Sequence, residues 1–213
     1  MAFTAYDAAA HAIGRARNLL DASRPSVSDK VTTIVRGDMM RLSIVMAVAA
    51  LDTYMHRLVV ERAYTHRDLP GGLGSLGIPF QHLLAQADAS ADAARAKPHN
   101  SRPRVAVKRQ LRDRLLTETF QRYEEVSRAL GMAGQSGRWE EIGQQLSPRM
   151  DTQLIKRRLN LIVQRRNQIV HEGDYRRLER PRRPTRNTIS RTSARADIHF
   201  IGQLIDATHA VIS

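Results

Sequence analysis

Wound as an α-helix, the segment leading to His171 places Ile155, Leu159, Ile162, Val163, Ile169 and Val170 on one apolar stripe, with Arg166 close to the stripe's centre. An arginine there faces either the core of a helical bundle or the surface of another protein, and leaving its charge unpaired costs several kcal/mol. The intrachain candidate for its partner is Asp52. This residue closes the most apolar run of the chain, Leu42 to Leu51, and has the same problem with the opposite sign. Asn167 and His171 are four residues apart and stack above one another on the flank of the stripe. Arg166, Asn167 and His171 therefore converge near one helix end.

The rest of the chain reads the same way: helical spacing dominates, strand-like alternation is hard to find, and the fold class is all-α. A first helix is predicted over about Thr4 to Asp21, ending before Pro25. A second, long and central, starts at Ser28 or Asp29 and runs to about Thr65. A third begins around Pro79 and frays by Lys97-Pro98, and a fourth covers Val105 to Leu130. After a loop punctuated by Gly131, Gly134 and Gly137, a short turn spans Trp139 to Leu146. Ser147-Pro148 then reads as cap and first position of the motif helix. A last helix over about Ala194 to Ile212 completes an up-and-down bundle of five to six helices. The whole chain, 1–213, reads as one domain with an Arg-rich loop at about 172–193.

The chain carries 34 Lys plus Arg against 21 Asp plus Glu, a formal net charge of +13, which favours a polyanionic partner. Lysine occurs only at Lys30, Lys97, Lys108 and Lys156, so the excess is arginine, the better residue for bidentate phosphate contacts and for stacking on bases. With no cysteine, disulfides, thiolate catalysis and Cys-based zinc sites are excluded. The histidines show no metal-ligand spacing, and no metal or cofactor is expected. The first residues do not resemble a secretory signal, and the Leu42–Leu51 run is half the roughly 20 residues needed to cross a bilayer. A cytoplasmic protein without a membrane partner is expected.

Arg166-Asn167-xxx-His171 resembles the hallmark of the HEPN superfamily, an arginine, usually followed by a polar residue, with histidine five positions after the arginine. Ala50 to Tyr54 on the central helix, the block Thr119-Phe120-Gln121, Trp139, and Arg165-Arg166-Asn167-xxx-His171-Glu172 are similar in order to the RiboL-PSP-type branch. The resemblance extends over about Thr33 to Ile212. It implies an HEPN-like bundle, two-fold dimerisation with the motif helices facing each other, and RNA cleavage in the composite cleft without a metal. The products would be a 2′,3′-cyclic phosphate and a free 5′-hydroxyl. His171 would move or position the proton of the 2′-oxygen, Arg166 would stabilise phosphate charge, and Asn167 would orient; Asp52 and Glu172 would support them.

Arg165, Arg176, Arg177, Arg180, Arg182 and Arg183 border the proposed histidine and are the candidate RNA contacts; a solvated loop is the other reading of this run. In some HEPN toxins a tyrosine two residues after the histidine is modified by a partner nucleotidyltransferase. Here that position is Gly173, and the nearest tyrosine is Tyr175. The function implied is a toxin or antiphage defence ribonuclease, with an antitoxin or defence-system protein as a further partner. Two alternatives stand beside it. In one the domain is a catalytically inactive adaptor or regulatory subunit, with His171 capping the helix end; in the other it is a basic helical DNA-binding protein.

Overall fold

The computed structural model describes residues 3–25, 32–62, 111–176 and 185–213. These carry α1 (Ala5–Ala22), α2 (Thr33–Arg62), α3 (Tyr123–Met132), α4 (Trp139–Gln145), α5 (Thr152–Glu172) and α6 (Arg191–Ile212). No strand forms among the described residues; Tyr175 and Arg186 make an isolated antiparallel bridge. The all-α expectation holds. Among the described residues no helix is long and apolar enough to cross a membrane. The third predicted helix, from Pro79, lies outside the described residues.

The chain divides into two compact units. The first comprises residues 1–54, 121–123 and 138–213. Its framework is the pair α1 and α6. On α1, Ala5, Ala9, Ile13, Ala16 and Leu20 are buried at helical spacing, and α6 answers with Ile198, Ile201, Leu204, Ile205 and Ile212. The two helices run antiparallel. Near the start of α1, Tyr6 donates to Asp206 (2.9 Å) and stacks on His209 with ring centroids 4.2 Å apart; near its end, Asp21 pairs with Arg191. Thr4 and Ser190 each open their helix with a reciprocal capping box. α6 thus begins three residues before the predicted start, and Arg191 belongs to a helix rather than to the arginine-rich loop. The box that Ser190 forms with Ser193 is what starts it.

Helix α5 also starts where a cap allows. Asp151, not Ser147, receives the Leu154 N–H (2.7 Å), so the helix begins past Pro148. Just ahead of it, Gly143 of α4 touches the backbone at Met150: the Met150 N–H donates to the Gly143 carbonyl (3.1 Å), and a Cβ at Gly143 would lie 2.1 Å from the Met150 oxygen. This close approach sets the turn that sends α5 on its way.

The second unit comprises residues 55–120 and 124–137. Its buried side chains include Met55, Leu58 and Val59 of α2, Leu111, Leu115 and Phe120, and Val126, Ala129 and Leu130 of α3. The fourth predicted helix is here broken in two. Residues 111–115 are helical, but the Thr117 hydroxyl donates to the Arg114 carbonyl (2.9 Å) and the Glu118 N–H donates to that of Leu115 (2.9 Å), tightening the last turn and ending it. The chain then buries Phe120 against His56, under the guanidinium of Arg128, before α3 begins. Apolar spacing carried through residues 116–122 because Phe120 is a buried loop residue rather than a helical one.

Two glycine replacements separate packing from propensity. Gly143→Ala is expected to cost about 1–3 kcal/mol through overpacking against the Met150 backbone. Gly14→Ala, inside α1 with open space around the missing Cβ, is expected to gain about 0.5–1 kcal/mol. Urea denaturation midpoints check both, and equal signs for the two variants would contradict this account of Gly143.

Candidate active site

The sequence motif occupies the C-terminal third of α5. Ile155, Leu159, Ile162 and Val163 are buried as the stripe requires, but burial fades along the helix. Ile169 is half-buried and Val170 is 47% exposed, so the bundle leaves the apolar stripe uncovered beside Arg166. Arg166 is itself half-buried. Its Nη1 donates to Asn167 Oδ1 (3.0 Å), and its buried Nε has no hydrogen-bond partner among the described residues. His171, one turn beyond Asn167, is exposed and makes no hydrogen bond among the described residues. The structure therefore places an arginine–asparagine side-chain pair and an open imidazole on one helix end.

The expected ion pair between Arg166 and Asp52 does not form. Asp52 is half-buried and accepts from Gln121 Nε2 (3.3 Å). The carboxylate that solves a buried-charge problem is Asp174, which has no exposed surface and receives two other arginines. Arg41 Nε donates to its Oδ2 (2.6 Å), and Arg165 forks onto both oxygens, with Nη1 on Oδ1 and Nη2 on Oδ2 (2.8 Å). Asn187 completes the shell, its Nδ2 on Oδ1 (3.1 Å) and its backbone N–H on the Asp174 carbonyl (2.8 Å). Arg41 continues to the Asn187 carbonyl (2.9 Å), and Arg165 to that of Thr188 (3.3 Å). α2, α5 and the segment entering α6 are thus tied to one acid.

Local sequence explains how Asp174 gets there. Gly173 ends α5 in the left-handed region (φ 59°) with its N–H on the Gln168 carbonyl, a six-to-one helix closure, and the Asp174 N–H reaches the same carbonyl (3.0 Å). Asp174 is also left-handed (φ 63°), a conformation that aspartate tolerates better than most residues. A Cβ on Gly173 would sit 3.0 Å from the Tyr175 ring, so glycine here is demanded both by the cap and by the aromatic packed over it. Tyr175 then pairs with Arg186, whose guanidinium lies 5.7 Å from the ring centroid and binds Asp38. Together with Arg176 N–H on the Thr185 carbonyl (2.8 Å), this clamps the neck of the arginine-rich segment.

The remaining sequence candidates sort by position. Arg165 has its guanidinium engaged by Asp174, and Arg176 is exposed at the neck. Glu172 is half-buried in the last turn of α5. Arg177, Arg180, Arg182 and Arg183 lie outside the described residues. Arg41, Asp174, Asn187 and Asp197 escaped the sequence reading. A signal existed for two of them: Gly173-Asp174 is a left-handed helix exit, and Arg41 interrupts an apolar helix four residues after Gly37, where a Cβ would meet its Nη1 at 2.9 Å. Asp197 of α6 has its carboxyl pushed up by burial, which the nearby Arg158 and Arg165 only partly offset.

These features define an all-helical chain in which the motif Arg-Asn-xxx-His closes a long helix. The chain belongs to the RiboL-PSP-HEPN family, whose model matches residues 13–213 and so spans both compact units. Membership points to an RNA-related function. No curated protein and no solved structure matches the chain.

Removing the Asp174 carboxylate should take from the buried Arg41 its 2.6 Å partner and leave it, among the described residues, the part-exposed Asp38 at 3.6 Å. Asp174→Ala is expected to lose about 3–5 kcal/mol in chemical denaturation, against no more than about 1 kcal/mol for Asp38→Ala, whose carboxylate is part-exposed. Similar losses in the two would deny Asp174 its central place. A pH test addresses Asp197. Its folded-state value is raised, so its ionisation costs stability above that value, and the cost vanishes below the unfolded one. Asp197→Asn should therefore be more stable than wild type at pH 7 and lose that advantage as pH falls through the carboxylate range. Thermal melts across pH would show it, and a variant less stable at pH 7 would contradict it.

Proposed function

We propose that the protein is a metal-independent endoribonuclease that cleaves RNA to 2′,3′-cyclic phosphate and 5′-hydroxyl ends, acting in the cytoplasm as a toxin or antiphage defence effector. The observation that carries the proposal is the side-chain pair of Arg166 and Asn167 beside the exposed His171, on a helix end held by Asp174. In-line attack of the ribose 2′-oxygen on the adjacent phosphorus forms the cyclic ester and breaks the bond to the 5′-oxygen. Histidine titrates near neutrality and suits the proton transfers that accompany this exchange. Arg166 places a guanidinium where negative charge grows on the phosphate oxygens, and Asn167 holds its orientation.

One such set is a thin site, and a homodimer doubles it. The exposed Val170, on the same stripe as Arg166, supports a second copy that covers this helix end. Arg176 and the arginines that follow it, Arg177, Arg180, Arg182 and Arg183, would hold the RNA backbone at the cleft mouth. Arg165 keeps a positioning role through Asp174, and Asp52 and Glu172 remain supporting residues. An antitoxin or defence-system protein is the proposed further partner.

Wild type, Arg166→Ala and His171→Ala should be compared on RNA in EDTA, with end-group analysis of the fragments. Each variant is expected to lose at least about 100-fold in rate while keeping the wild-type melting temperature. Intact RNA with wild type would sink the enzyme reading and leave the adaptor role. Cleavage that required magnesium would overturn the mechanism.

A further inference from the structure

Among the large apolar side chains left open in the first compact unit, Tyr175 stands just past the end of α5 and is 44% exposed. The chain fixes its position. A Cβ at Gly173 would lie 3.0 Å from the ring's Cε2 and 3.2 Å from its Cδ2, so that edge of the ring rests on the helix end. The Arg186 guanidinium lies over the ring, 5.7 Å from its centroid, and is itself tied to Asp38 of α2. The Tyr175 backbone is held as well, by its N–H on the Glu172 carbonyl (3.2 Å) and by the antiparallel bridge to Arg186. An aromatic side chain already fixed in this way gives up little entropy when a ligand stacks on it.

Helical geometry relates this ring to the motif. Gly173 comes seven residues after Arg166 and three after Val170, on the same face of the helix. The ring that rests on Gly173 therefore continues the stripe on which Arg166 and Val170 emerge from the bundle, about 10 Å beyond Arg166 along the axis. Asn167 and His171 flank that stripe. A phosphate held by Arg166 beside His171 thus has an open aromatic surface ahead of it along the helix. The proton transfers assigned to His171 and the charge stabilisation assigned to Arg166 leave that surface without a task.

We propose that Tyr175 is a stacking platform for an RNA base next to the cleaved phosphate, so that the substrate is a strand in which this base is unpaired. Arg186 takes one face of the ring and the base takes the other. Stacking on tyrosine tolerates any base, because every base has a π face. It discriminates between paired and unpaired bases instead: a base inside a duplex is already stacked and paired, and freeing it costs energy, whereas bases in single-stranded loops and ends are splayed out. The ligand's identity as RNA rests on the ribonuclease reading.

Binding rather than turnover tests it. In the His171→Ala background, which should leave RNA intact, the full chain is titrated with a short single-stranded RNA, with the same RNA carrying one abasic ribose at each position in turn, and with its duplex. One abasic position is expected to weaken binding roughly tenfold, and Tyr175→Leu to weaken binding of the intact RNA by a similar factor while making that position indifferent. Tyr175→Phe should keep the affinity, since the stack needs the ring and not the hydroxyl, and duplex binding should not depend on Tyr175. Melting temperatures and elution volumes of the variants should match those of the parent. Undiminished affinity in Tyr175→Leu overturns the proposal, as does an abasic penalty that survives in that variant or a duplex that depends on Tyr175 equally. A changed elution volume in Tyr175→Leu also overturns it and makes the ring a subunit contact. These readouts hold whether or not wild type cuts RNA, so failure of the stack and failure of the ribonuclease reading are told apart.

Discussion

A carboxylate with no exposed surface has to be matched by cations, and around Asp174 that requirement organises the first compact unit. Arg41 comes from α2, Arg165 from α5 and Asn187 from the segment before α6, so removing the charge would loosen three elements together. Burial of the partners strengthens each contact, because the dielectric around Asp174 is low and Arg165 meets it as a planar fork. An isolated surface pair such as Arg24 with Asp21 has neither advantage.

The candidate site inherits its geometry from this knot. Arg165 is turned inward to Asp174, and its neighbour Arg166, about 100° further round α5, pairs with Asn167 instead. Gly173 and Asp174, both left-handed, stop the helix immediately after His171 and fold the chain back so that Tyr175 covers the turn. The imidazole is exposed because the helix ends there, and the end is rigid because its next residue but two is the buried acid. Two adjacent arginines thus divide the work: one fixes the helix end and the other is presented at it.

Much of the architecture was legible in periodicity. The stripes of α1, α5 and α6 and the start of α1 at Thr4 are local properties of short segments, and Arg166, Asn167 and His171 come together because residues near one another on a helix share a region of its surface. Where the structure departs from that reading, a side chain makes a polar contact that apolar periodicity does not register. The Thr117 hydroxyl ended a helix that apolar spacing would have continued through Phe120. Ser190 and Ser193 started α6 inside what composition marks as loop. Asp52 was a reasonable partner for Arg166 on charge and burial, but it accepts from Gln121, Arg166 donates to Asn167, and the buried acid Asp174 takes Arg41 and Arg165 instead.

The sequence by itself determined the helical class, the positive charge and the cluster at the end of α5, because those depend on side chains no more than a turn or two apart. Only the tertiary structure decided which acid pairs with which arginine. It also decided that the stripe emerges uncovered at Val170, and that Arg186, held by Asp38, fixes the ring of Tyr175 beyond the helix end. Those outcomes depend on groups far apart in the chain, and burial, which makes a charge seek a partner, exists only once the helices have packed.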